Sequence, residues 1–127
     1  MDFLLLIIEA PGQRRERSDA EGAELYARMQ RFGESLRARN RLKAVESLAS
    51  HAHAVRVRTA GGKAQVLDGP FAEAKEMVGG FFLVDCDSMA EAVAIAHECP
   101  AAEWATVEVR ALAPCFDDSR AEARVFT

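Results

Sequence analysis

Phe3-Leu4-Leu5-Leu6-Ile7-Ile8 puts six apolar residues in a row near the start of the chain, and the reading of that run decides the fold. A strand with one wet face alternates apolar and polar residues, whereas a strand apolar at every position is covered on both faces. The run is too short for a membrane span, which needs about 20 apolar residues. It also lacks the basic start and longer apolar stretch of a secretion signal, since Asp2 precedes it. A second run of the same kind, Phe81-Phe82-Leu83-Val84, follows Gly79-Gly80. Two doubly apolar strands imply the middle of a sheet.

Helices flank these strands in sequence. Ser18-Asp19-Ala20-Glu21 has the spacing of a capping box, in which the serine oxygen takes the third backbone N–H and the glutamate reaches back. Leu25, Met29, Phe32 and Leu36 then recur at helical spacing. This predicts a helix to about Arg39, with Asn40 as a left-handed stop. Ser88-Met89-Ala90-Glu91 repeats the capping spacing, and Met89, Ala92, Val93 and Ala96 form the stripe of a second helix that ends before Pro100.

Further strands are expected over residues 43–48, 54–59, 64–67 and 106–110, with Gly61-Gly62-Lys63 as a hairpin turn. Asp68-Gly69-Pro70-Phe71 reads as a turn leading to a short helical stretch over residues 72–76. The order is strand, helix, strands, strand, helix, strand. It predicts an α+β domain over residues 1–112, a ferredoxin-like split βαβ sheet with an added hairpin, and a tail over 113–127. Two helices cover one face of a sheet, so the apolar central strands call for a cover on the other face. A second copy packed sheet to sheet, a homodimer, is the expected one.

With half of its 127 residues hydrophobic and 28% charged, the chain can bury a core. A net charge of −4 gives no general attraction to nucleic acid or to an anionic membrane. The basic run Arg14, Arg15, Arg17, Arg28 and Arg31 is interrupted by acidic residues and reads as a solvated loop and helix face. Cys86, Cys99 and Cys115 are scattered without a Cys-x-x-Cys pair. They read as reduced thiols of a cytoplasmic protein, not as a disulfide framework or zinc site.

Candidate chemistry centres on Asp68, His51 and His53. An aspartate ahead of Gly-Pro either organises the turn or serves as a carboxylate base. Histidine is a common general base, and on an extended segment the two point the same way. Arg56 and Arg58 alternate with Val55 and Val57, and Glu108 and Arg110 with Val107 and Val109. If the valines face the helices, the charged side chains face the dimer side, as ion pairs or as a cleft for a small anionic ligand. Glu73 and Lys75 would line its mouth. Neither glycine pair has phosphate-loop spacing, and no cofactor or metal is called for.

The segment Asp68-Gly69-Pro70-Phe71-Ala72-Glu73-Ala74-Lys75-Glu76-Met77-Val78-Gly79-Gly80-Phe81-Phe82 resembles the signature of DGPF-domain proteins of the YCII-related family. Met29-x-x-Phe32, Ala54-Val55-Arg56-Val57, Cys99-Pro100 and the ending Glu108-Val109-Arg110-Ala111-Leu112 resemble the same family. The resemblance implies a ferredoxin-like fold and a dimeric α/β barrel. Some members look like small-molecule hydrolases or lyases with a His–Asp pair, and others like companions of regulatory proteins. Here Arg28-Met29-Gln30-Arg31-Phe32 has no histidine and Cys99 stands before Pro100 where the family has aspartate, so that pair is not carried over. The expected function is a dimeric small-molecule-binding domain with acid–base, hydrolase- or lyase-like activity. The alternative is a non-catalytic regulatory or protein-interaction module.

Overall fold

The computed structural model describes residues 1–69 and 73–116. The first apolar run is strand β1, Asp2–Glu9, and the second lies in β5, Met77–Asp85. Strands β2, Leu42–Ser47, and β6, Thr106–Ala111, flank them in a four-stranded antiparallel sheet of order β2-β5-β1-β6. The doubly apolar strands are therefore the two central ones. Gly79 and Gly80 lie inside β5, not ahead of it. Two helices with antiparallel sheets make an α+β fold compatible with the ferredoxin-like arrangement.

Helix α1, Asp19–Ala38, begins with the full capping box. The Glu21 N–H donates to Ser18 Oγ at 3.1 Å, and the Ser18 N–H donates to Glu21 Oε1 at 3.0 Å. Its end is a Schellman turn: Asn40 sits at φ 58°, the Arg41 N–H donates to Leu36 O and the Asn40 N–H to Arg37 O. Helix α2, Met89–Glu98, makes half of its predicted box. The Glu91 N–H donates to Ser88 Oγ, while the Glu91 carboxylate accepts instead from the Asp87 N–H and pairs with Arg41.

Both helices pack on the face of the sheet that carries Phe3, Leu5, Ile7, Phe82 and Val84. Phe32 of α1 meets Phe82 edge to face, with ring centroids 5.1 Å apart. On the opposite face Leu4 pairs with Leu83 and Leu6 with Phe81, all half-buried. Glu46 of β2 and Thr106, Glu108 and Arg110 of β6 border this apolar strip.

The hairpin departs most from expectation. Strands β3, Val55–Ala60, and β4, Lys63–Asp68, form a separate two-stranded ribbon, not an extension of the main sheet. Gly61 and Gly62 turn it with φ 58° and 76°, a left-handed pair that matches the twist of the strands. Val55, Val57, Val66 and Leu67 are 57, 69, 62 and 56% exposed. Val55 and Val57 therefore do not face the helices, and Arg56 and Arg58 share no sheet with Glu108 and Arg110. The alternation of β3 shows which side chains share a side, but not which sheet the strand joins. The helical stretch expected over 72–76 is also absent from its described part: Glu73 is in a turn and 74–76 are irregular. The Pro70-Phe71 half of the turn signature and residues 117–127 of the expected tail lie outside the described residues. No helix among the described residues is long and apolar enough to cross a membrane.

Candidate functional site

The inward parity of β1 runs Phe3, Leu5, Ile7 and then Glu9, so the strand turns a carboxylate to the helix side at its end. Glu9 is only 8% exposed. A charge in that position needs a partner. The chain turns at Pro11-Gly12, and a 3-10 turn over Gln13–Glu16 brings Arg14 back over it. Arg14 Nε donates to Glu9 Oε1 at 2.6 Å and its terminal nitrogen to Glu9 Oε2 at 3.3 Å, a two-point fork.

The same guanidinium reaches two other strand ends. Arg14 donates to Leu48 O at 2.8 Å and to Gly79 O at 3.3 Å. The Leu48 N–H donates to Gly79 O at 2.9 Å. Residues 49–76, which carry the hairpin, leave and rejoin the sheet between those two carbonyls. Glu9 and Arg14 thus clamp the neck of the hairpin to the end of β1.

The glycine pair leaves room for this clamp. A Cβ on Gly79 would lie 2.1 Å from Glu9 Oε2 and 3.0 Å from a terminal nitrogen of Arg14. A Cβ on Gly80 would lie 2.8 Å from the backbone oxygen of Glu46 on the neighbouring strand. Close approach explains both glycines, one to a side chain and one to a backbone.

Glu9, Arg14 and Gly79 also form one wall of a cavity of about 670 Å³ between α1 and the β2 side of the sheet. Leu25, Met29, Val45 and Phe82 give it an apolar lining, and Tyr26 and Gln30 contribute polar groups. Its volume suits a small organic molecule. Trp104, at one end, has the guanidinium groups of Arg28 and Arg17 at 5.4 and 6.0 Å from its ring centre. Arg28 in turn pairs with Glu103 at 2.6 Å, and Gln13 Nε2 donates to Trp104 O at 2.9 Å.

Of its five N–H groups, Arg14 commits four to the protein, so it positions and does not capture anions. Glu9 accepts one hydrogen bond on each oxygen and retains a lone pair on each for a ligand donor. Cys99 lies in the core beside Met29, with sulfur atoms 4.0 Å apart. Burial pushes its thiol above the ordinary range, only partly opposed by a backbone hydrogen bond at Ala101, which disfavours the nucleophilic thiolate.

The residues singled out from sequence fall in two other places. His51 and His53 occupy a 3-10 turn, His51–His53, and not an extended segment, so they do not share a side by strand alternation. Arg56 and Arg58 lie on β3 and Asp68 ends β4 opposite Val55, all exposed. Glu73 and Lys75 are exposed between β4 and β5. Glu108 and Arg110 lie together on the open face of β6, 3.9 Å apart. None of these nine lines the Glu9 cavity.

Sequence reasoning missed Glu9 and Arg14. The signal was present in the parity of β1: a carboxylate in register with Phe3, Leu5 and Ile7 must find a cation, and Arg14 is one tight turn away.

A family model described as the YCII-related domain matches residues 1–115. An uncharacterised protein of Rhizobium meliloti (strain 1021) is 45% identical over 62 residues, covering 47% of this chain and 50% of the relative. The chain therefore spans about half the length of this curated relative. The signature from Asp68 to Phe82, the fold and the extent of the family match agree: the chain belongs to the YCII-related family.

Proposed function

We propose that the chain is a homodimeric small-molecule-binding protein whose ligand occupies the cavity between α1 and the sheet, with Glu9 as its acid–base group. One observation carries this reading: a carboxylate more than nine-tenths buried lines a ligand-sized cavity, fixed in place by an arginine that has little capacity left for a ligand. The fitting ligand has an apolar body and at least one N–H or O–H donor to meet Glu9. Arg17 and Arg37 also line the cavity and favour a ligand that carries negative charge elsewhere. A proton held or taken by Glu9 at the ligand's donor atom suits hydrolase- or lyase-like steps.

The homodimer rests on the open face of the sheet. Leu4, Leu6, Phe81 and Leu83 form a continuous apolar strip across the two central strands, and a second sheet facing it gives the dimeric α/β barrel. The basic side of the hairpin, with Arg56, Arg58 and Lys63, favours a second reading, a non-catalytic docking module for a regulatory partner.

A thermal-shift screen against metabolites and anions tests the binding reading. A ligand at a hundredfold excess over its Kd stabilises the native state by about 2.7 kcal/mol. Shifts lost in Glu9→Gln and in Leu25→Trp, which fills the cavity without touching the clamp, support the site. Shifts retained in both folded variants refute it.

A further inference from the structure

We infer that the β3–β4 hairpin is a dimerisation arm whose Val55, Val57 and Val66 face is buried on a second copy of this chain. The inference rests on the homodimer reading and says how that dimer is completed.

Ribbon register separates two faces. Val55, Val57 and Thr59 share one with Ala64, Val66 and, at the neck end, Asp68, while Arg56, Arg58, Ala60, Lys63, Gln65 and Leu67 lie on the other. That is the pattern of a strand pair with one covered and one wet face. A two-stranded ribbon alone is at best marginally stable in water. Here the face built for burial is exposed within the single chain.

Area identifies the occupant. Four strands at about 4.8 Å spacing and some seven residues long give the open sheet face a footprint on the order of 450 Å². A standard interface needs roughly 800 Å² per partner, so sheet-to-sheet contact alone falls short. Each arm face adds on the order of 200 Å². In a two-fold dimer every copy gains that area twice, once by inserting its arm and once by receiving the partner's. The total then reaches the standard size.

Reach agrees with a second copy. Six residues per strand extend the arm about 20 Å, twice the roughly 10 Å separation of facing sheets. The docking face carries one charge, Asp68 at its neck end, and Arg56, Arg58 and Lys63 stay on the wet face.

Sedimentation equilibrium over a dilution series tests this with the full chain. Val57→Asp combined with Val66→Asp places two charges on the apolar arm face and leaves the core untouched. It should raise the dimer Kd by roughly 100-fold or more with an unchanged circular dichroism spectrum. Arg58→Gln, on the wet face, should leave the Kd within about threefold of the parent. Leu6→Asp on the sheet face probes the underlying dimer. Loss of dimer in Leu6→Asp with the parent Kd retained in the arm variant overturns the arm and leaves the sheet interface standing. A parent chain monomeric at micromolar concentration overturns both.

Discussion

Substituting Gly79 by alanine probes the clamp directly, because the added methyl meets the two side chains that form it. Its Cβ would stand 2.1 Å from Glu9 Oε2 and 2.8 Å from the Glu9 carboxyl carbon. Gly79 is the extra residue of β5 where the register with β1 shifts between Ile7 and Ile8, and its carbonyl accepts from the Leu48 N–H; the side-chain carboxylate is the group that yields. Removing one partner of a fully buried ion pair costs about 3–5 kcal/mol. Arg14 is about a third exposed, which reduces the expected loss to about 2 kcal/mol. Alanine in a strand recovers about 0.5 kcal/mol over glycine. For a domain of this size the net loss lowers Tm by roughly 5–8 °C. In a Glu9→Ala background the nearer obstacle is gone and only the far end of the Arg14 side chain, at 3.0 Å, has to give, so Gly79→Ala should become neutral or stabilising by about 0.5 kcal/mol. The double-mutant cycle should therefore show coupling of about 2 kcal/mol. Urea unfolding followed by circular dichroism, at one fixed protein concentration and with an unchanged slope, measures it. Gly80→Ala is the control: its clash is with the Glu46 backbone, and Glu9→Ala should not relieve it. Additive losses for Gly79→Ala and Glu9→Ala, within about 0.5 kcal/mol, refute the reasoning.

Arg14→Lys keeps the charge but loses the fork that holds Glu9, Leu48 and Gly79 together. Hydrogen exchange at the Leu48 amide should speed by about tenfold, and an unchanged rate argues against the neck clamp. Burial raises the thiols of Cys99 and Cys86 above their ordinary range. The folded chain then keeps protons that the unfolded chain releases, so their contribution is complete below the ordinary thiol range and declines as pH rises through it. Chemical unfolding between about pH 8 and pH 10 should show that decline, and Cys86→Ala with Cys99→Ala should flatten it. Asp68→Ala, on the exposed end of β4, should change stability by no more than about 0.5 kcal/mol. It should also preserve any ligand-induced shift that Glu9→Gln abolishes; the reverse pattern would move the site to the hairpin.

Those contrasts reflect what local pattern can and cannot reveal. The six apolar residues from Phe3 to Ile8 and the run from Phe81 to Val84 placed both central strands, because burial on two faces leaves no polar position in the sequence. The Ser18 box and the Asn40 stop were legible for the same local reason: their hydrogen bonds close within a few residues. The hairpin was legible as a hairpin, through Gly61-Gly62, but its separation from the main sheet depends on the path of residues 49–54, which no periodicity records. Arg56 and Glu108 were paired on the assumption of one continuous sheet, and that assumption failed with the path. Gly79-Gly80 stood out as part of a signature, yet its cause lies with Glu9, seventy residues away in sequence, and with Glu46 on the adjacent strand.

The position of the clamp has a consequence for the two proposed surfaces. Glu9 and Arg14 hold the Leu48 and Gly79 ends of the hairpin neck and, with the same atoms, form a wall of the cavity. Under the two proposals, a partner that orders the arm would act through the strand ends that Arg14 holds, and a ligand donor on Glu9 would act on the same guanidinium. Coupling of this kind is reciprocal: the factor by which dimerisation tightens ligand binding equals the factor by which ligand tightens the dimer. Its medium is short, one guanidinium with four committed N–H groups, and it needs no longer pathway through the core. If the hairpin docks on a second copy as proposed, Arg14, which holds Leu48 and Gly79 on either side of residues 49–76, is the group through which the order of the buried carboxylate would depend on assembly.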